Sequence, residues 1–268
     1  MKNKFINNLF VILVFAFLYL PIIVLIIYSF NTSSMNIIFE GFTFDWYKAL
    51  FHNTDLLEAF RNTLIVAVIS TVISTILGTI SAYGLFKYNF KFKNIINGLI
   101  YIPIVIPEIV LGISLLSVYT LMKLDLGLFS IILSHIAFSV PFVIVSVRTT
   151  LTSEIAVYEE AAEDLGASNY QVFKNIILPT IAPGIISGAT LAFTLSLDDV
   201  VISYFTSGPG SNTLPLYIYS MIKTGITPDV NALSTIMVLV TFILLISITI
   251  VQGRKIRKEA IWKKYYIS

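Results

Sequence analysis

Six apolar stretches, each about as long as a helix needs to cross a bilayer, leave this chain few alternatives to a helical bundle in lipid. They cover residues 9–30, 63–86, 95–122, 128–147, 183–205 and 233–251. About 20 apolar residues suffice for the roughly 30 Å hydrocarbon core. Of the 268 residues, 57% are hydrophobic and 12% charged, whereas a soluble domain carries about 45–50% and about 25%. The expected fold is all-α: a polytopic membrane protein of six transmembrane helices, a single transmembrane domain over residues 1–268. No cysteine is present, so disulfides, thiolate metal sites and a cysteine nucleophile are excluded. A formal charge of +2 gives no case for nucleic-acid binding.

Lysine and arginine set the direction of the spans, because they favour the cytoplasmic side. With the N-terminus inside, thirteen fall inside: Lys2, Lys4, Lys87, Lys91, Lys93, Arg148, Lys174, Arg254, Lys255, Arg257, Lys258, Lys263 and Lys264. Four fall outside: Lys48, Arg61, Lys123 and Lys223. Both termini are therefore expected in the cytoplasm, and residues 31–62 and 207–231 outside, with Trp46 and Tyr47 as interfacial anchors. The first stretch follows Lys2 and Lys4 as a signal peptide would, but it exceeds the usual apolar core and no small-residue cleavage site follows. It reads as a retained anchor.

Inside the membrane, Gly184, Gly188, Ala192 and Ser196 recur every fourth residue, a strip that lets helix backbones approach closely. Pro103 and Pro107 each remove a backbone donor in the third stretch and predict a kink there. His135, alone in the fourth, reads as a hydrogen-bonded core histidine rather than a ligand. Glu108, Asp198 and Asp199 are the carboxylates well inside the apolar stretches. A charge at the centre of a span costs about 2.5–3.5 kcal/mol on insertion scales, so such residues face the bundle interior. They line an interior path, cap broken helices or bond across an interface.

Residues 151–180 are the most polar part of the middle of the chain, with Glu159, Glu160, Glu163 and Asp164 in one turn and a half. Val157, Ala161 and Leu165 form an apolar stripe at four-residue spacing, leaving the carboxylates on wetter faces. Gly166 terminates that helix, Ser168 and Gln171 form a capping box for the next, and Pro179 limits its length. The predicted product is a helix–turn–helix knob. Interfacial helices show lysine and arginine to lipid, so the carboxylates favour a protein-docking role over a surface-lying loop.

Glu160-Ala161-Ala162, Gly166 and Ile176-x-Leu178-Pro179 resemble the EAA signature of membrane subunits in bacterial ATP-binding-cassette importers. Residues 21–34, 41–47, 195–203 and 219–233 resemble, more narrowly, the second permease subunit of spermidine/putrescine importers. Glu108 departs from the aspartate usual there, and the C-terminal tail diverges. The resemblance implies a type I importer permease of MetI-like architecture in the bacterial plasma membrane. Its coupling residues would be Glu160, Ala161, Ala162, Gly166, Ile176, Leu178 and Pro179, docked on an ATPase. It further implies a second permease, two ATPase subunits that hold the ATP and Mg²⁺, and an extracytoplasmic binding protein. This chain would be no enzyme and would bind no cofactor or metal of its own. It contains no G-x-x-x-x-G-K-[ST] phosphate loop.

The alternatives are a permease for another small solute, a self-contained secondary transporter, and an intramembrane enzyme. The last is disfavoured: no H-E-x-x-H occurs, and the adjacent Asp198 and Asp199 point about 100° apart on a helix, unlike a proton-sharing dyad.

Overall fold

The computed structural model describes residues 2–33, 38–221, 225 and 227–243. The chain divides into two compact units, one made of Met1–Leu57 with Met221–Ser268 and the other of Glu58–Ser220. Among the described residues the architecture is helical, with one isolated bridge between Asn31 and Phe42.

In the first unit, α1 (Lys2–Tyr28) runs as an apolar helix through Pro21 and is exposed along most of its length. The connection after it folds around Asn31. The Asn31 side chain donates to the Ile38 carbonyl at 2.7 Å and accepts from the Glu40 amide at 2.9 Å. Phe30, Phe42, Phe44 and Tyr47 stack against one another beside it. A short α2 (Asp45–Leu50) carries Trp46, whose indole N–H donates to the Asn31 carbonyl at 2.6 Å, and Tyr47, whose hydroxyl meets Ser29 at 2.8 Å. Both polar tips expected at the membrane interface are thus used within the protein. Asn53 donates to the Asp229 carboxylate at 2.6 Å. That bond joins the start of α3 (Thr54–Lys87) to an apolar helix beginning at Pro228, described as far as Ile243. The rest of the sixth stretch, residues 244–251, and the basic tail lie outside the described residues.

In the second unit the third apolar stretch is two helices rather than one kinked span. α4 (Lys93–Val105) and α5 (Glu108–Leu121) meet at 109°. Pro107 has no N–H to donate and drives Ile106 into extended backbone at φ −67, ψ 135. At 13 and 14 residues, each is about 20 Å long, short of the hydrocarbon thickness. Pro103 sits inside α4 without breaking it.

α6 (Leu128–Arg148) follows as a continuous span. The polar segment forms α7 (Ser153–Asp164) and α8 (Asn169–Val172), and a π-helical turn over Phe173–Ile177 leads into α9 (Leu178–Leu197). Pro179 therefore does not stop the helix. The π turn pairs the Leu178 amide with the Phe173 carbonyl, which shifts the ladder by one residue and lets Pro179 occupy the first turn of α9, where a missing donor is tolerated. The fifth span so begins before residue 183 and ends at Leu197; α10 (Val201–Thr206) and α11 (Leu214–Ser220) are separate short helices. Among the described residues, four helices are long and apolar enough to cross a membrane, five if the bent α4–α5 pair counts as one span.

α6 and α9 form the spine of this unit and run antiparallel. A Cβ at Gly184 would lie 2.5 Å from the Thr150 hydroxyl, and one at Gly188 would lie 3.2 Å from the Val143 Cα. Ala192 and Ser196 continue the buried strip. Lipid tails are as apolar as the side chains, so it is this backbone proximity that holds the helices together. Gly188→Leu is expected to push α9 off α6 and at least halve the yield of folded chain, as read by size-exclusion of the detergent-solubilised protein. An unchanged yield would mean that the strip carries no packing energy.

Candidate functional site

The knob at residues 153–177 is built from local signals. Thr152 enters α7 in extended conformation. At its far end Gly166 takes φ +83, its amide reaching the Glu163 carbonyl at 2.9 Å while the Ala167 amide reaches Ala162 at 3.0 Å. This is the paired-bond helix stop that needs a left-handed residue. Ser168 and Gln171 then cap α8 reciprocally, the Ser168 amide donating to the Gln171 side chain at 2.8 Å.

The knob's inward face is not the stripe expected from sequence. Ile155, Glu159 and Ala162 are buried, and Ile155 and Ala162 pack with Val147, Val172, Ile177 and Ile181 in one apolar cluster. Val157 and Leu165 point away and are 61% and 89% exposed. Glu159 is tied down by α3: Tyr83 donates to its Oε1 at 2.9 Å, and the Lys87 ammonium forms an ion pair with the same oxygen. Lys87 also lies 4.0 Å from Glu163. Glu159 thus leaves the water that the other three carboxylates keep. The sequence signal for it was its position, four residues after Ile155 and three before Ala162.

Of the coupling residues expected from sequence, Glu160, Ala161, Gly166, Leu178 and Pro179 are exposed, Ala162 is buried and Ile176 packs against the cluster beneath. The outward face is therefore apolar and acidic, on a base fixed by a partly buried ion pair.

The intramembrane carboxylates separate into two kinds. Asp199 is buried in the break between α9 and α10. It accepts from the Ser203 amide at 2.7 Å and the Ile202 amide at 3.2 Å, capping α10, and lies 3.3 Å from His135 Nε2. His135 Nδ1 meets Ser196 at 2.6 Å, and Ser196 meets Ser70 at 3.1 Å. This buried chain joins α3, α6, α9 and α10, with His135 as the hydrogen-bonded core histidine its setting suggested. Asp198, the neighbouring residue, is exposed. Glu108 is exposed as well, at the first position of α5 beyond the Pro107 break, where the helix N-terminus favours a negative charge. α5 lies against α10 so closely that a Cβ at Gly112 would come 2.7 Å from the Phe205 ring. The two free carboxylates thus open at two helix breaks, and Asp199 is occupied by protein.

Helices fit to span a membrane, two of the apolar runs broken, and a polar knob held between α6 and α9 define the class. Residues 74–258 match the family of binding-protein-dependent transport system inner membrane components, and the chain belongs to that family. It is 40% identical over 247 residues, 92% of its length and 94% of the relative's, to the spermidine/putrescine transport system permease protein PotC of Escherichia coli. It is 38% identical over 229 residues, 83% and 82% of the two lengths, to the putrescine transport system permease protein PotI of Escherichia coli. In fold it resembles a chain of a bacterial ABC transporter that imports alginate, with a TM-score of 0.70 at 16% identity over 94% of this chain and 96% of that one. It is a membrane-embedded permease component of a transport system.

Proposed function

We propose that this chain is one of two permease subunits of an ATP-driven polyamine importer, taking spermidine and putrescine from an extracytoplasmic binding protein. A second permease completes the path, and two ATPase subunits supply ATP and Mg²⁺. Similarity to PotC and PotI over most of the chain supports the cargo class. The observation that carries the transport mechanism is the knob: an exposed Val157–Leu165 surface on a base fixed by Glu159–Lys87 and Ile155. A handle of this kind passes motion from a docked ATPase into α3 and into α9 without bending on the way. At the other end, Asp198 and Glu108 offer unpaired carboxylates to a polycation, each at a break where a helix segment can turn. In this reading the chain has six spans with both termini in the cytoplasm, and the knob faces the ATP side.

The cargo reading is tested in cells lacking their own polyamine uptake. The chain, expressed with its partner subunits, is expected to restore accumulation of labelled spermidine or putrescine and to leave amino-acid and sugar uptake unchanged. Restored uptake of another solute alone would reject polyamines. Topology has its own test. Reporter fusions after Lys93 and Lys174 should read cytoplasmic, and those after Asn53 and Gly210 external; inversion between neighbouring sites would remove the knob from the ATPase.

A further inference from the structure

We propose that a groove between α3, α4 and α6 is a binding site for an anionic phospholipid, with an acyl chain in the groove and the phosphate at Lys91 and Lys93. The groove has a cavity volume of about 430 Å³, and its walls include Leu85, Tyr88, Phe90, Ile96, Ile100 and Ile144. Its lining is almost wholly apolar. Gly84 forms part of the wall, and a Cβ there would meet nothing within 4 Å, so the space is open on that side.

The occupant follows from the rim. Phe90 lines the groove, and Lys91 is the next residue; Lys93 begins α4 one turn before Ile96, which also lines it. Lys87 is committed to Glu159, but Lys91 lies over the Phe92 ring at 5.7 Å and Lys93 donates to the Asn89 side chain at 2.9 Å. Neither of these contacts involves a carboxylate. Tyr88, Phe90 and Phe92 are exposed in the same short connection, the aromatic belt of a membrane boundary. An apolar slot with aromatic side chains at its edge and two lysines next in sequence to its lining matches a lipid: acyl chain in the slot, anionic headgroup at the lysines. Basic pockets at the cytoplasmic ends of spans bind such headgroups. A zwitterionic lipid also offers a phosphate but brings a cation of its own beside the two ammonium groups, so a headgroup with net negative charge is the better match. The site rests on the proposed topology, in which residues 87–93 face the cytoplasmic leaflet.

The test is lipid retention by the chain purified with its partner subunits from membranes of equal phosphatidylglycerol and phosphatidylcholine with matched acyl chains, read by native mass spectrometry. Phosphatidylglycerol should be held preferentially. Lys91→Gln with Lys93→Gln should lower its retention about fivefold for each lysine lost and leave phosphatidylcholine unchanged. Gly84→Phe, which improves helix propensity while filling the slot, should release both lipids from an intact complex. Equal retention of the two lipids by the unaltered chain, or undiminished retention in Gly84→Phe, would overturn the site. So would loss of the partner permease from Gly84→Phe, which would make the groove a protein interface. Uptake is scored separately, so an inactive importer that still selects phosphatidylglycerol would count against the transport reading and leave the lipid site standing.

Discussion

Glu159→Lys is expected to abolish ATP-coupled uptake, and adding Lys87→Glu is expected to restore much of it. In the unaltered chain the Glu159 carboxylate has the Tyr83 hydroxyl and the Lys87 ammonium as partners, and its side chain is only 11% exposed. Breaking a buried pair by removing one member costs about 3–5 kcal/mol, chiefly because the other charge is left unanswered. Lys87 is a quarter exposed, which places the cost at the low end. About 3 kcal/mol is still more than a hundredfold in the population of a docked knob. Two lysines at this point repel as well. Exchanging the charges re-forms the pair, and a tyrosine hydroxyl serves a lysine as acceptor as readily as it serves a carboxylate as donor. The readout is a double-mutant cycle on transport, with membrane insertion measured beside it. Normal transport by Glu159→Lys, or a double variant no better than the single, would show that the pair does not carry motion. Gly166→Val acts on the same lever from the other side. A β-branched residue at φ +83 is strained, so uptake and cargo-stimulated ATP hydrolysis should fall together while the chain still inserts.

The second large effect separates two adjacent residues. Asp198→Asn should lower spermidine uptake about tenfold or more, and putrescine less, with assembly and basal ATP hydrolysis intact. The side chain is exposed at the α9–α10 break, so the substitution removes charge while keeping size and hydrogen-bonding capacity. At about 4 Å and an effective dielectric near 20, one such attraction amounts to about 4 kcal/mol, and spermidine carries one more positive charge than putrescine. Asp199→Ala should instead lower the yield of assembled complex. It removes the cap of α10, worth about 1 kcal/mol, and takes from buried His135 its acidic neighbour, leaving Nε2 with the Ser203 hydroxyl at 3.2 Å and Nδ1 with Ser196, a loss at the low end of about 1–3 kcal/mol. Uptake per assembled complex should then be nearly normal for both cargoes. If Asp198→Asn transports both polyamines at the usual rate, Glu108 becomes the carboxylate to replace.

What could be read in advance followed the range of the interaction. The Gly166 stop and the Ser168–Gln171 cap involve residues three to five apart, and both appear as spacing predicts. The strip from Gly184 to Ser196 announced a close helix contact; that its partner is α6 needed the fold. Pro107 marked a break, but a bend of 109° depends on where each half packs. Pro179 misled, since a proline signal assumes an α-helical ladder and the π turn at Phe173–Ile177 steps over it. The apolar stripe misled for a related reason. Periodicity finds a face and cannot say whether it meets this chain or another, and here Val157 and Leu165 face outward while Ile155 and Ala162 face in. Asp199 caps a broken helix, one of the roles its position allowed, whereas Glu159 escaped because its meaning lies in a partner 72 residues away in sequence, Lys87.

Spermidine accumulation in proteoliposomes reads directly whether the knob links ATP hydrolysis to polyamine passage. The complex is reconstituted with its ATPase subunits and binding protein, and spermidine taken up is measured against ATP hydrolysed, for the unaltered chain and for Leu165→Asp. Leu165, at 89% exposure, contributes little to the fold, so the variant should insert and assemble. Uptake is expected to require both ATP and the binding protein, and Leu165→Asp is expected to lose uptake together with the hydrolysis that spermidine stimulates. Uptake that proceeds without ATPase or ATP, or that is unaffected by a charge on the outward face of the knob, would contradict that link.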